Sequence, residues 1–194
     1  MTATTPSPTA LNGPRVRLRP WTDADLAPFA AMNDDPEVMR HLSARLTRAQ
    51  SDAYAWRIRA QFDAHGFGLW ALEVPQLGFA GFVGLSAKVP FELPVPGTVA
   101  EPHEIGWRLA RAAWGRGYAT EAAALVLRHA FDVLELPQVV SFTATANLAS
   151  QAVMQRIGLQ RRGEFDHPRL AEGHPLRRHV LYAQDAPRTG ARPS

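Results

Sequence analysis

Glu104-Ile-Gly-Trp-Arg-Leu-Ala-Arg111, followed directly by Ala112-Ala-Trp-Gly-Arg-Gly-Tyr-Ala-Thr-Glu-Ala122, is the stretch from which the rest of the chain is read. His103 to Ala110 has the make-up of a strand, Gly115 and Gly117 punctuate a turn, and Arg116 to Leu134 continues as a helix. A strand that enters a glycine turn and opens a helix gathers unpaired backbone N–H groups and the positive end of a helix dipole at one point. That point suits a phosphate or pyrophosphate. Gly115 and Gly117 let the main chain approach such an anion closely, and Ala119 leaves the first helical turn unobstructed. A plain strand-to-helix turn is the competing reading of the same glycines. No Gly-Lys-Ser/Thr follows, and the third glycine and distal acid of a dinucleotide fingerprint are missing, so neither of those nucleotide sites is encoded.

Working outward, Arg15-Val-Arg-Leu-Arg19 alternates apolar and basic residues as a strand with one wet face does. Thr22-Asp-Ala-Asp25 then caps a helix that breaks near Pro36. Thr47 to His65 predicts a second helix, with an apolar stripe through Ala53, Trp56, Ile58 and Phe62 and a stop at Gly66. Gly68 to Val74 and Gly78 to Leu85 read as an antiparallel hairpin. Val89 to Pro102 holds four prolines and reads as an irregular loop, a kind of segment that often carries function. Downstream of the opening stretch come a strand over Val139 to Thr145, a helix over Leu148 to Ile157, and strands over Leu159 to Phe165 and Leu176 to Tyr182. Alternating strands and helices imply an α/β (α+β) architecture, a mixed sheet with crossover helices. Residues 1–14 and 185–194, rich in Thr, Pro, Ser, Gly and Ala, are expected to be flexible tails on a single domain spanning 15–184.

The chain has 194 residues, 46% of them hydrophobic and 20% charged, enough for one core. It carries 21 basic residues, of which only Lys88 is lysine, against 18 acids, for a net charge of +3. That is too small an excess for a dedicated nucleic-acid binder, and a basic RNA-associated protein is correspondingly disfavoured. With no cysteine, disulfides, thiolate zinc sites and a cysteine nucleophile are excluded. No apolar run is long enough to span a bilayer and no signal sequence is evident, so the expected compartment is the cytoplasm, with no membrane partner.

Trp114-Gly-Arg-Gly-Tyr-Ala-Thr-Glu121 resembles the coenzyme loop of the GNAT superfamily of N-acetyltransferases, in the form found in its RimJ/RimL-like branch, with Trp114 where the superfamily pattern has Arg or Gln. Asn147-Leu-Ala-Ser150, Met154-Gln-Arg-Ile-Gly-Leu159 and the segment from Phe165 to Tyr182 match in the same order. The resemblance implies a mixed, mostly antiparallel sheet of about seven strands with a splayed parallel pair, flanked by about four helices. It implies acetyl-coenzyme A as cosubstrate and a primary amine as acceptor, with no metal. Homodimers are frequent in the family.

The same resemblance implies which residues bind. Main-chain groups of Trp107 and Leu109 would pair with the pantetheine arm in the gap between the splayed strands. The turn formed by Trp114, Gly115, Arg116, Gly117, Tyr118, Ala119 and Thr120 would hold the pyrophosphate. Arg116 either touches phosphate or is solvated. Asn147 would contact the pantetheine and Ser150 would give a proton to the departing thiolate; ordinary capping of the helix from Leu148 is the competing reading of both. Tyr182 is the alternative proton donor, although its strand position favours the core.

Acetyl transfer from sulfur to nitrogen needs a neutral amine, and a carboxylate can remove the extra proton. Glu104, on the strand beside the expected thioester, is the candidate, the alternatives being a surface acid paired with a nearby arginine or, if a bulge exchanges the faces, His103 as base. His167, His174 and His179, with Asp166 and Glu172, lack metal-ligand spacing and are expected to make turn hydrogen bonds or line the acceptor site. Trp56, Trp70 and Trp107 are expected in the core or a cleft wall, and Phe91 of the proline-rich loop is expected to touch an acceptor. A non-catalytic acyl-coenzyme A binding or sensing module would share the loop but lack the acid–base groups.

Overall fold

A computed structural model describes residues 10–187; the expected tails outside that range lie beyond the described residues. The strands are β1 (Leu11–Asn12), β2 (Arg17–Arg19), β3 (Leu69–Val74), β4 (Gly78–Ser86), β5 (His103–Leu109), β6 (Gln138–Ala144), β7 (Gln160–Asp166) and β8 (Arg178–Asp185). The helices are α1 (Leu26–Asp34), the single turn α2 (Pro36–Met39), α3 (Arg48–His65), α4 (Tyr118–Asp132) and α5 (Leu148–Arg156). All eight strands form one sheet in the order β1-β2-β3-β4-β5-β6-β8-β7.

Every neighbouring pair is antiparallel except β5 and β6. That parallel pair is registered only at His103 with Val139 and Glu104 with Val140, so the two strands part immediately beyond Glu104. On its other side β5 stays paired with β4 from Glu104 to Leu109, which keeps the free edge of β5 straight and facing the opening. The mixed sheet, its splayed pair and its flanking helices are as expected. β1 was not anticipated as structure: Leu11 pairs with Leu18 and the Gly13 amide donates to Val16 O at 2.8 Å. Two residues are too few to show alternation in sequence.

Helix ends follow their sequence signals. Thr47 and Gln50 form a reciprocal capping box at the start of α3, and Gly66 ends it at φ 74. The buried stripe of α3 is Ser51, Ala55, Ile58 and Phe62, rotated from the expected one. Ala53 is exposed and Trp56 is 60% exposed, so Trp56 belongs to neither core nor cleft wall; the Arg59 guanidinium lies 5.0 Å above its ring. The pattern misled because polar Ser51 is buried, its Oγ accepting from Asn33 Nδ2 at 3.2 Å. Trp70 is fully buried at the centre of the main core with Phe29, Leu72, Leu85, Ile105 and Val126.

The proline-rich segment has no strand but covers a second, smaller core of Val89, Val95, Val140, Phe165 and Leu181. Gln138 on β6 supplies the bonds a strand would have made: its Oε1 accepts from Val99 N at 3.1 Å and its Nε2 donates to Gly97 O at 2.8 Å.

Candidate active site

The glycine turn bends back on itself because Gly115 and Gly117 sit at φ 70 and φ 79, where a side chain is strained. Gly117 caps α4 in the left-handed region, and the first backbone bond of the helix runs from Glu121 N to Gly117 O at 3.1 Å. The amides just before Glu121 therefore have no acceptor within the helix and point outward with the dipole. Arg15 braces the turn from outside. Its amide donates to Glu121 Oε1 and its Nε to Glu121 Oε2, both at 2.7 Å, while its Nη1 donates to Arg116 O at 3.0 Å.

Beside this turn the parting of β5 and β6 opens a cavity of about 1110 Å³, closed on the far side by α5 and by the segment from Glu37 to Leu42. Trp107, Leu109, Trp114, Gly115, Gly117, Tyr118, Ala119, Thr120, Asn147 and Ser150 all line it. Arg116 does not: its side chain is exposed and its carbonyl serves Arg15, so of its two readings the solvated one matches the observed position. Trp114 Nε1 donates to Leu109 O at 2.8 Å, an interaction that ties the end of β5 to the turn and uses one lone pair of a carbonyl expected to face the ligand.

Asn147 serves two purposes. Its Oδ1 accepts from Ser150 N at 3.2 Å and caps α5, and its Nδ2 donates to Thr143 Oγ1 at 2.9 Å and to Ser150 Oγ at 3.0 Å. Ser150 Oγ accepts from Asn147, which leaves its own proton free to be donated, and Ser150 lines the cavity. Tyr182 is 2% exposed. Its hydroxyl is held by Gln155 at 3.1 Å and Gln151 at 3.4 Å, away from the cavity lining.

Glu104 is the last paired residue of β5 before the opening and does not reach the cavity wall itself. Its carboxyl is enclosed by protein, with a narrow exposure to solvent, and has no hydrogen-bond partner among the described residues. That enclosure disfavours the charged form and pushes its pKa up to about 7. The reading of a surface acid paired with arginine is therefore incorrect for Glu104. His103 points to the opposite face, packs 5.8 Å from the Phe67 ring, and is held below the usual histidine range by burial and by nearby His65.

The late histidines are absorbed locally. His167 Nδ1 accepts from Arg169 N at 3.3 Å and His174 Nδ1 from Leu176 N at 3.1 Å, the expected turn bonds. The rings of His167 and His179 lie 4.8 Å apart, tilted by 47°, beside Phe142 and Phe165. Phe91 joins them, 5.6 Å from Phe142 and 4.8 Å from His167. Its apolar ring is thus explained by the second core, and it does not line the cavity. Sequence reasoning missed Arg15, Arg108 and the segment from Glu37 to Leu42 as parts of the cavity. Arg108 carried a legible signal, an arginine between Trp107 and Leu109 on a strand otherwise marked as buried.

A mixed sheet parted at its parallel pair, with a turn of outward-pointing amides beside the opening, frames this cavity. The chain belongs to the GNAT acetyltransferase family, whose Acetyltransferase (GNAT) domain matches residues 15–160. It is 35% identical over 132 residues to an FsC-acetyl coenzyme A-N(2)-transacetylase of Aspergillus fumigatus, covering 64% of this chain and 54% of that protein. The chain thus spans about half the length of that fungal relative. Among solved structures it is similar to a GNAT-family acetyltransferase from Bacillus anthracis, with TM-score 0.75, 18% identity and coverage of 91% and 98% of the two chains. Mycobacterium smegmatis RimJ in complex with CoA-disulfide is also similar, with TM-score 0.73, 22% identity and coverage of 92% and 88%.

Proposed function

We propose that this protein is a RimJ/RimL-like N-acetyltransferase that moves acetyl from acetyl-coenzyme A directly to a primary amine, either a peptide or protein N-terminus or a small amine-bearing molecule. The observation that carries this reading is the single cavity that joins the parting of β5 and β6 to the free amides before Glu121. Its length and its anion-favouring mouth suit a pantetheine arm ending in a pyrophosphate. The names of the fungal transacetylase and of RimJ add support. The amides from Gly115 to Thr120 bind the pyrophosphate. The unpaired edge of β5 at Trp107 and Leu109 aligns the arm, and a main-chain N–H there stabilises the oxyanion that forms at the acetyl carbonyl.

Glu104 accepts the proton that the amine must lose, directly or through water, and a carboxyl near 7 is matched to that task at neutral pH. The amine nitrogen bonds to the acetyl carbon, the carbon–sulfur bond breaks, the thiolate takes a proton from Ser150, and the second proton that the nitrogen sheds on becoming an amide returns through water to Ser150. No covalent enzyme intermediate is required. The same reading assigns the protein to the cytoplasm; among the described residues no helix is long and apolar enough to cross a membrane.

Titration calorimetry with coenzyme A, together with thiol release from acetyl-coenzyme A across a panel of amines and peptides, tests this. Saturable binding with turnover on at least one acceptor is expected. Binding with no turnover on any acceptor would instead support an acyl-coenzyme A sensing module.

A further inference from the structure

Arg108 stands on β5 four residues beyond Glu104, on the same face of the strand and about 13 Å away between Cα atoms. Its Nη1 donates to Asn33 Oδ1 at 2.6 Å. Its guanidinium lies 5.4 Å from the Phe82 ring centre and 6.0 Å from that of Tyr54. Burial there works against its charge, and no carboxylate of the described residues comes within ion-pairing distance of it. Of the acids around the cavity, Glu121 is engaged with Arg15, Glu37 with Arg40 and Asp35 with Arg111, and Glu104, unpaired, stands about 13 Å along the strand. Other arginines without a carboxylate partner, such as Arg116 and Arg156, are exposed. Arg108 is instead enclosed and lines the cavity, and none of its unbonded nitrogens is sealed inside protein.

A guanidinium taken out of water without a counter-ion is costly, and an anionic ligand relieves that cost. Asn33 fixes one edge of the fork and the rings of Phe82 and Tyr54 flank it, leaving its other donors for a planar oxyanion. We infer that Arg108 is an acceptor-recognition residue, and that the acceptor is a small amine that also carries a free carboxylate, bound through that carboxylate. Arg108 then holds the carboxylate end of a zwitterion, while Glu104, set back from the cavity wall on the same strand, takes the proton of its ammonium end through water. This inference rests on the acetyltransferase reading and narrows its acceptor to amino acids or related amino-carboxylates.

The test uses matched probes, the proteinogenic amino acids and their carboxamides, with wild-type protein, Arg108→Gln and Arg108→Lys, each checked for an unchanged melting profile. Calorimetry in the presence of coenzyme A reads the subsite whether or not acetyl moves, and thiol release reads transfer separately. The wild type is expected to favour at least one acid over its carboxamide by about tenfold or more, the range of a charge-assisted hydrogen bond. That preference should persist in part in Arg108→Lys and vanish in Arg108→Gln, with coenzyme A affinity unchanged in both. Equal binding of acids and carboxamides by wild type overturns the inference. So does an Arg108→Gln protein that keeps the preference, or one that loses coenzyme A affinity instead, which would show that the guanidinium serves the cosubstrate. Absence of turnover with acid-selective binding retained would count against the transferase reading and leave the subsite standing.

Discussion

Arg15 and Glu121, separated by 106 residues of chain, are joined by two hydrogen bonds of 2.7 Å, one from the Arg15 amide and one from its Nε. Glu121 has 14% side-chain exposure against 55% for Arg15. The buried partner is thus in the helix and the exposed one in the turn between β1 and β2. The same guanidinium holds Arg116 O and lies 5.4 Å from the Tyr118 ring centre. The turn between β1 and β2 therefore braces the glycine turn before any ligand arrives, and preorganisation of that kind strengthens binding by lowering its ordering cost. Arg15→Ala is expected to weaken coenzyme A binding about three- to tenfold with a smaller effect on turnover at saturation. Calorimetry and a kcat–KM separation check it.

Gly117 sits at φ 79, and a Cβ added there would lie 3.3 Å from Arg15 Nη2. Gly117→Ala should destabilise the fold by about 1–2 kcal/mol through left-handed strain. It should also weaken coenzyme A binding by displacing the brace. Gly117→Val should do both more severely. Denaturant melts and calorimetry separate the two effects, and unchanged coenzyme A affinity in both variants would remove the anion-nest argument.

Glu104 has a folded-state pKa raised to about 7 by burial, above its ordinary 4.5. A raised acid pKa means the folded state holds more protons than the unfolded state between those values. Its contribution to stability is therefore complete below about 4.5 and is lost as pH rises through about 7. Glu104→Gln, which cannot ionise, should melt higher than wild type by a margin that grows from acid to mildly alkaline pH. Its turnover should fall about 10²-fold or more, and the wild-type rise in rate through neutral pH should disappear. A wild-type pH–rate profile in the variant would give the base role to another group.

Ser150 and Asn147 should respond differently to deletion. Ser150→Ala removes the candidate proton donor while leaving the Asn147 cap on Ser150 N, so turnover should drop with little change in Tm. Asn147→Ala removes the α5 cap and the bond that orients Ser150 Oγ. It should cost about 1–2 kcal/mol of stability as well as turnover. Thermal melts alongside steady-state kinetics distinguish these outcomes.

Much of this molecule is written in short-range patterns. The glycine turn and the helix it opens, the Thr47 capping box, the Gly66 stop, the hairpin of β3 and β4, and the strandless proline-rich segment all follow from residues within a few positions of one another. Steric limits on φ, capping hydrogen bonds and alternation act over that distance. What brings distant residues together was not legible in the same way. Arg15 looked like the wet side of a strand until Glu121 was found opposite it, and Phe91 looked unpartnered until β6 and β7 supplied Phe142 and Phe165. Trp56 was misassigned because the Asn33 bond that lets Ser51 be buried crosses between helices. The elevated pKa of Glu104 and the enclosed, unpaired charge of Arg108 likewise depend on which groups the fold removes from water. Local sequence set the backbone of the anion-binding turn; solvent exclusion and long-range pairing, which exist only once the sheet has closed around β5, decided the electrostatics of the cavity.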